Sequence, residues 1–195
     1  TKHYDIVLAF SGGKDSTFTL KYLLENFKAK IAAITIDNGF IAERARKNCE
    51  IVTTNLGVDH YFIKPNQKAM MKMYQTSVNE NIHSTGALQR ASSICNSCIQ
   101  VINSHIINFA TNYNIPVVAG GYIGGQIPSK TGVMRQDLNL SKKLRENFLV
   151  GISKHFDKDV MKLFEQSIGT MSDILVFNPM IYLNMSEENI LKEIS

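Results

Sequence analysis

Three places in this sequence carry residue types whose spacing could do chemistry. The first is Phe10-Ser11-Gly12-Gly13-Lys14-Asp15-Ser16, set between the apolar run that ends at Ala9 and a stretch with Phe18, Leu20, Leu23, Leu24 and Phe27 at helical spacing. Strand, glycine turn and helix in that order aim backbone N–H groups and a helix N-terminus at an anion. Two adjacent glycines take backbone angles that a Cβ forbids, and they let a phosphate approach the main chain. Ser11 and Ser16 add hydroxyls, and Lys14 adds a positive charge. The second place is Cys95-Asn96-Ser97-Cys98, a Cys-x-x-Cys at a helix start that puts both sulfurs near positive backbone potential. The third is Gly120-Gly121, directly after the apolar Val117-Val118-Ala119.

The elements that must position these residues alternate along the chain. Apolar runs predict strands over 4–10, 31–36, 61–63, 117–119 and 174–177. Helical spacing predicts helices over 16–27, 41–56, 68–81, 97–113, 141–156 and 158–168, with a last one starting at Ser186-Glu187-Glu188. Residues 83–93 read as a loop, and 122–139, with Gly124, Gly125 and Gly132, as a long one that could close over an acceptor with Gln126, Ser129, Lys130, Arg135 and Gln136. Continuous apolar runs predict strands covered on both faces, so the expected fold is α/β, a doubly wound, parallel, five-stranded sheet with helices on both faces. Ligands bind such sheets at the carboxyl ends of the strands. The phosphate-type loop, Asp37-Asn38-Gly39 and the segment from Gly120 to Gly125 all fall there.

Length and composition bound the rest. At 195 residues the chain is expected to form one domain over 1–195. It starts on Thr1 without a methionine and stops at Ser195 inside a helical pattern, which leaves room for a further C-terminal segment. No apolar run approaches the roughly 18 residues that cross a bilayer, so a membrane role is not expected and a cytoplasmic location is. Three cysteines, an odd number with one close pair, do not read as a disulfide framework. A net charge of +4 is too mild to identify a nucleic-acid partner.

Ser11-Gly12-Gly13-Lys14-Asp15-Ser16 lacks the spacing of the Walker-type loop and the three glycines of the Rossmann fingerprint. It resembles the SGGxDS signature of the PP-loop ATP pyrophosphatases, the adenine nucleotide α-hydrolase-like superfamily, at all six positions. Ile36-Asp37-Asn38-Gly39 is similar to the segment of GMP synthetase and tRNA-thiolating relatives where strand two approaches the nucleotide. The resemblance implies ATP cleavage between the α- and β-phosphates, with an acceptor oxygen adenylated and AMP then displaced by ammonia or a sulfur donor. It implies Lys14, Asp15 and Ser16 as catalytic residues, with magnesium near Asp15. It implies nucleotide contacts at Ala9, Phe10, Ser11, Gly12, Gly13, Lys14, Asp15, Ser16, Ile36, Asp37, Gly120 and Gly121.

Cys95 and Cys98 admit three roles: half of a zinc or iron–sulfur site, persulfide or redox chemistry, or two buried small residues. Cys49 lies on the apolar face of its helix and is expected in the core; His83 and His105 are candidate further ligands, and two subunits of a homodimer could supply two pairs. The methionine-rich stretch Met70, Met71, Met73 is expected to be core packing. Some tRNA-thiolating relatives hold an iron–sulfur cluster on such a pair plus a later third cysteine, which this chain lacks, and Ala119-Gly120-Gly121-Tyr122 stands where they carry Gly-His and two aspartates. N-acetyl sugar amidotransferases of the superfamily also resemble the chain. The expected function is therefore ATP-dependent adenylation followed by sulfur transfer to a tRNA base or small molecule. Amide-forming nitrogen transfer and non-catalytic ATP or AMP sensing are the alternatives. ATP, an unidentified acceptor, tRNA and a sulfur or ammonia donor protein are the expected partners.

Overall fold

The computed structural model describes residues 3–89, 91–124, 126–127, 129–167, 171–183 and 185–194. Thr1, Gly125, Ile168 and Ser195 lie outside them, as does the side chain of Ser129. The first half runs β1 (Ile6–Ala9), α1 (Lys14–Asn26), β2 (Ile31–Ile36), α2 (Glu43–Asn55), β3 (Asp59–Ile63), α3 (Gln67–Asn79), α4 (Thr85–Leu88), α5 (Ser93–Asn112) and β4 (Val117–Ala119). Then follow β5 (Val133–Asp137), α6 (Leu138–Ile152), α7 (Lys158–Lys162), β6 (Asp173–Phe177) and α8 (Glu187–Ile194).

The sheet has six strands in the order β3-β2-β1-β4-β6-β5. Pairing is parallel from β3 through β6, and β5 adds to β6 antiparallel. The expected five-stranded parallel sheet is thus corrected to six strands, mixed at one edge. The extra strand comes from the segment read as a long loop. Val133, Met134, Arg135 and Asp137 are all exposed, so no apolar face announced it; hydrogen bonding to β6 makes it a strand. Other differences are smaller. α4 interrupts the expected loop at 83–93, α5 starts at Ser93, α6 starts at Leu138, and α7 ends at Lys162. Side-chain caps explain two of these starts: Ser92 accepts from the Cys95 N–H, and Asp137 accepts from the N–H groups of Asn139 and Leu140.

β2 is buried at all six positions, as a strand covered on both faces must be. On one face Val7, Ala32, Ile34 and Ile36 pack against Ile106, Phe109 and Ala110 of α5. On the other, Leu8, Phe10 and Ala33 meet Leu20 and Leu23 of α1 and Cys49 of α2. Each fully buried leucine here contributes about 1.5–3 kcal/mol by leaving water. These two layers hold the C-terminal ends of β1, β2 and β4 in register. A separate cluster joins α3, α5 and α7 through Met70, Met73, Val101, Val160 and Phe164. Met71 points outward instead, at 45% exposure, so only two of the three methionines expected in the core are there. No helix among the described residues is long and apolar enough to cross a membrane.

Candidate active site

The loop between β1 and α1 is built from its own backbone. Gly12 has φ +69°, in the left-handed region, and a Cβ there would lie 2.7 Å from Cys49 Sγ and 2.9 Å from the Ala45 carbonyl oxygen. Glycine is required twice, for the angle and for close packing on α2. Gly13 is the N-cap of α1 and no side chain caps it, so the first-turn N–H groups face the cleft without a side-chain acceptor. Ser16 Oγ donates to the Gly13 carbonyl at 3.1 Å, accepts from the Ser11 N–H at 3.3 Å and lies 3.1 Å from Ser11 Oγ. The two serines therefore knit the loop into a fixed curve.

Lys14 Nζ lies 3.4 Å from Asp15 Oδ1 and 3.5 Å from Glu187 Oε1 at the start of α8. The Asp15 carboxylate raises the Lys14 pKa above its ordinary value, so the side chain is a cation. Asp15 Oδ1 is buried, and among the described residues the Lys14 ammonium is the charge beside it. Across the loop, a Cβ on Gly121 would come within 3.1 Å of Ser16 N and Cα, so the turn after β4 lies directly on the start of α1.

These elements enclose a cleft of about 510 Å³, at the carboxyl ends of β1, β2 and β4. Of the expected residues, Ala9, Phe10, Ser11, Gly13, Lys14, Asp15, Ser16, Ile36, Gly120 and Gly121 line it. Gly12 faces α2 instead, and Asp37 closes its own turn, its Oδ1 accepting from the Gly39 N–H at 2.9 Å.

The family described as "Queuosine biosynthesis protein QueC" matches residues 5–124, more than half of the chain and all of this cleft's three strands. The chain belongs to that family, within the PP-loop ATP pyrophosphatase superfamily. Over 99 residues, 51% of the chain, it is 31% identical to the uncharacterized protein MJ1599 of Methanocaldococcus jannaschii and spans 31% of that protein's length. Among solved structures it is similar to the U34-tRNA thiolase NcsA of Methanococcus maripaludis, solved with its [4Fe-4S] cluster. That likeness has a TM-score of 0.54 and 15% identity over 100% of this chain and 58% of the thiolase. A Methanocaldococcus jannaschii protein described as a "predicted subunit of tRNA methyltransferase" has a TM-score of 0.50 at 18% identity, over 97% of this chain and 73% of that one. At such identities the likeness is one of fold.

In this QueC-family chain Cys98 of the cysteine pair stands beside the cleft. Cys98 Sγ lies 3.6 Å from Asn38 Nδ2 and 3.5 Å from the Tyr74 hydroxyl, which donates to the Asn38 carbonyl at 2.9 Å. Asn38 itself lines the cleft. Burial, and then the Cys98 hydrogen bond, push the Tyr74 phenol well above its ordinary pKa, so it stays protonated as a donor. Cys95, three residues earlier on α5, is exposed. Among the described residues no three His, Cys, Asp or Glu side chains gather to hold a metal ion. His83 Nε2 is 2.9 Å from Ser97 Oγ, and His105 Nε2 is buried with no hydrogen-bond partner among the described residues. Cys49 is fully buried against the phosphate loop, as its place on the apolar face of α2 predicts.

Asn38, Tyr122 and Gln126, within segments expected near a ligand, line the cleft too, while sequence reasoning missed Phe40 and Ile99, which also line it. Phe40 follows the Asp37-Asn38-Gly39 turn directly, so position after β2 was its available signal. Ile102 of α5 lines the cleft as well. Arg135, expected near an acceptor, pairs with Asp173 on the exposed edge of β5.

Proposed function

We propose that this chain binds ATP in the 510 Å³ cleft, adenylates an acceptor with release of pyrophosphate, and supports sulfur transfer to the activated position. The observation that carries the reading is one cleft in which an uncapped helix start, Lys14 and the Asp15 carboxylate meet the ends of β2 and β4. The acceptor oxygen attacks the α-phosphorus, and the bond to the bridging oxygen breaks with its electrons leaving on pyrophosphate. The N–H groups of Lys14, Asp15 and Ser16 and the Lys14 ammonium hold that leaving charge. Asp15 fits a magnesium ion, which when bound neutralises the pyrophosphate further. Ser11 and Ser16 keep the loop's curve, and the turn at Gly120 and Gly121 admits the nucleotide closely. A hydrosulfide then attacks the activated carbon, and AMP leaves with the C–O electron pair.

Sulfur rather than nitrogen is favoured by Cys98, whose thiol sits against a cleft-lining residue. The two thiols supply two ligands of the four that a closed zinc site needs, so no step is routed through a metal there. The test is release of labelled pyrophosphate from γ-labelled ATP, with bulk tRNA and a small-metabolite pool offered separately as acceptors. Wild type releases pyrophosphate with one of them, and Lys14→Ala abolishes it. A Lys14→Ala protein as active as wild type sinks the mechanism. ATP binding without pyrophosphate from either pool leaves the sensor reading. Label arriving from ammonia rather than sulfide leaves the amidotransferase.

A further inference from the structure

Thr35 is a buried polar residue in the otherwise apolar β2, 2% exposed, and its hydroxyl oxygen has three neighbours. The Phe10 carbonyl oxygen lies at 2.7 Å, His60 Nε2 on the adjacent strand β3 at 2.8 Å and Cys49 Sγ on α2 at 3.6 Å. A hydroxyl has one proton to give, and a carbonyl oxygen can only accept. The Thr35 proton therefore goes to Phe10, and the His60 ring must donate to Thr35. Burial holds the His60 pKa below its ordinary value, so the ring is neutral and carries one N–H. That N–H is on Nε2. Edge-on contacts with Phe10 and Phe62, at centroid distances of 6.1 and 6.4 Å, keep the ring in place.

Phe10 is where the chain leaves the sheet. β1 ends at Ala9; one residue on, the Phe10 N–H donates to the Ile34 carbonyl at 2.8 Å and the Phe10 carbonyl accepts from Thr35. A trans peptide is planar, with its C=O and N–H pointing in opposite directions, so a hold on the Phe10 carbonyl also aims the Ser11 N–H. That N–H donates to Ser16 Oγ, which donates in turn to the Gly13 carbonyl. From His60 to Gly13 every donor points the same way: ring N–H, threonine hydroxyl, peptide, serine hydroxyl. Aligned bonds of this kind polarise one another in a dry interior. The chain of bonds starts on the outer strand β3 and ends at the N-cap of α1, the helix start that faces the cleft.

We infer that Thr35 and His60 are positioning residues for the phosphate loop, His60 fixing the Thr35 hydroxyl and Thr35 fixing the Phe10–Ser11 peptide on which the loop's curve depends. They act on the nucleotide through Ser11 and Ser16. The effect on turnover rests on the adenylation reading, whereas the chain of hydrogen bonds does not. A threonine that only filled space in β2 would be replaceable by valine of the same shape. Here valine removes the link and serine keeps it.

The test compares Thr35→Val, Thr35→Ser, His60→Phe and His60→Gln, the glutamine amide replacing the Nε2–H donor. Hydrogen exchange at the Ser11 amide of the unliganded full chain should be at least about tenfold faster in Thr35→Val and His60→Phe than in wild type, relative to the Leu8 amide. Thr35→Ser and His60→Gln should restore most of the protection. ATP affinity by calorimetry should follow the same order, and the Thr35→Val, His60→Phe double variant should lose no more than Thr35→Val alone. Nitrogen NMR of histidine-labelled protein at pH 8, with the His60 signal assigned by its loss in His60→Gln, should show the proton on Nε2. A proton on Nδ1, unchanged Ser11 exchange, a loss that serine does not restore, or additive losses in the double variant overturns the inference. Should Thr35→Val not fold, the two His60 variants carry the same comparison. Pyrophosphate release is measured on the same proteins. If the exchange and tautomer results hold while no acceptor yields pyrophosphate, the adenylation reading falls alone. If wild type releases pyrophosphate and Ser11 exchange is the same in all four variants, only this inference falls.

Discussion

Replacing Gly12 by alanine places a methyl group 2.7 Å from Cys49 Sγ and 2.9 Å from the Ala45 carbonyl oxygen, at a residue whose φ is +69°. The left-handed angle costs an alanine about 1–2 kcal/mol. Overpacking against a fully buried neighbour and a helix backbone costs about 1–3 kcal/mol more. The total is about 2–5 kcal/mol. At about 2–4 °C per kcal/mol for a chain of this size, a loss of about 3 kcal/mol lowers Tm by about 6–12 °C. Urea unfolding of Gly12→Ala, Cys49→Ala and the double variant measures the components. Cys49→Ala removes the sulfur but not the carbonyl, so the double variant should recover part of the loss, on the order of 1 kcal/mol of coupling. Because the phosphate loop carries the strain, Gly12→Ala should also weaken ATP binding. A variant within about 0.5 kcal/mol of wild type, or strictly additive effects, would refute the packing argument.

Glu187→Gln frees Lys14 of one of its two carboxylate neighbours, and ATP affinity by calorimetry should rise, by no more than about fivefold for so exposed a pair; weaker binding would show that Glu187 helps to hold the nucleotide. Burial depresses the pKa values of His60, His83 and His105. Unfolded chains bind protons at these sites near pH 6.5 while the folded protein does not, so unfolding free energy should be full above that pH and fall as pH drops below it. Urea midpoints at pH 5, 6 and 7 check this, and a flat profile, or one unaltered by His105→Gln, contradicts it. Met73→Ala should cost about 2–5 kcal/mol and Met71→Ala less than about 0.5 kcal/mol, since the first is fully buried and the second largely exposed; similar costs for both would return Met71 to the core.

By itself the sequence determined what depends on neighbours in the chain. Strand, glycines, lysine and helix follow one another from Ile6 to Asn26, so the phosphate-type loop was legible as a unit. The bounds of β2 and β4 were legible too, because a strand covered on both faces is apolar at nearly every position and needs no partner to be read. The tertiary structure decided what depends on partners far away. β5 exists because β6 supplies hydrogen bonds to a polar edge segment. Cys98 reaches the cleft through Asn38, 60 residues earlier, and periodicity on α5 carries no trace of that contact. Asp37, whose chain position suggested a ligand contact, satisfies its own turn. Local pattern assigns a residue to a face; which side chains then share a cavity is set by the packing of whole elements.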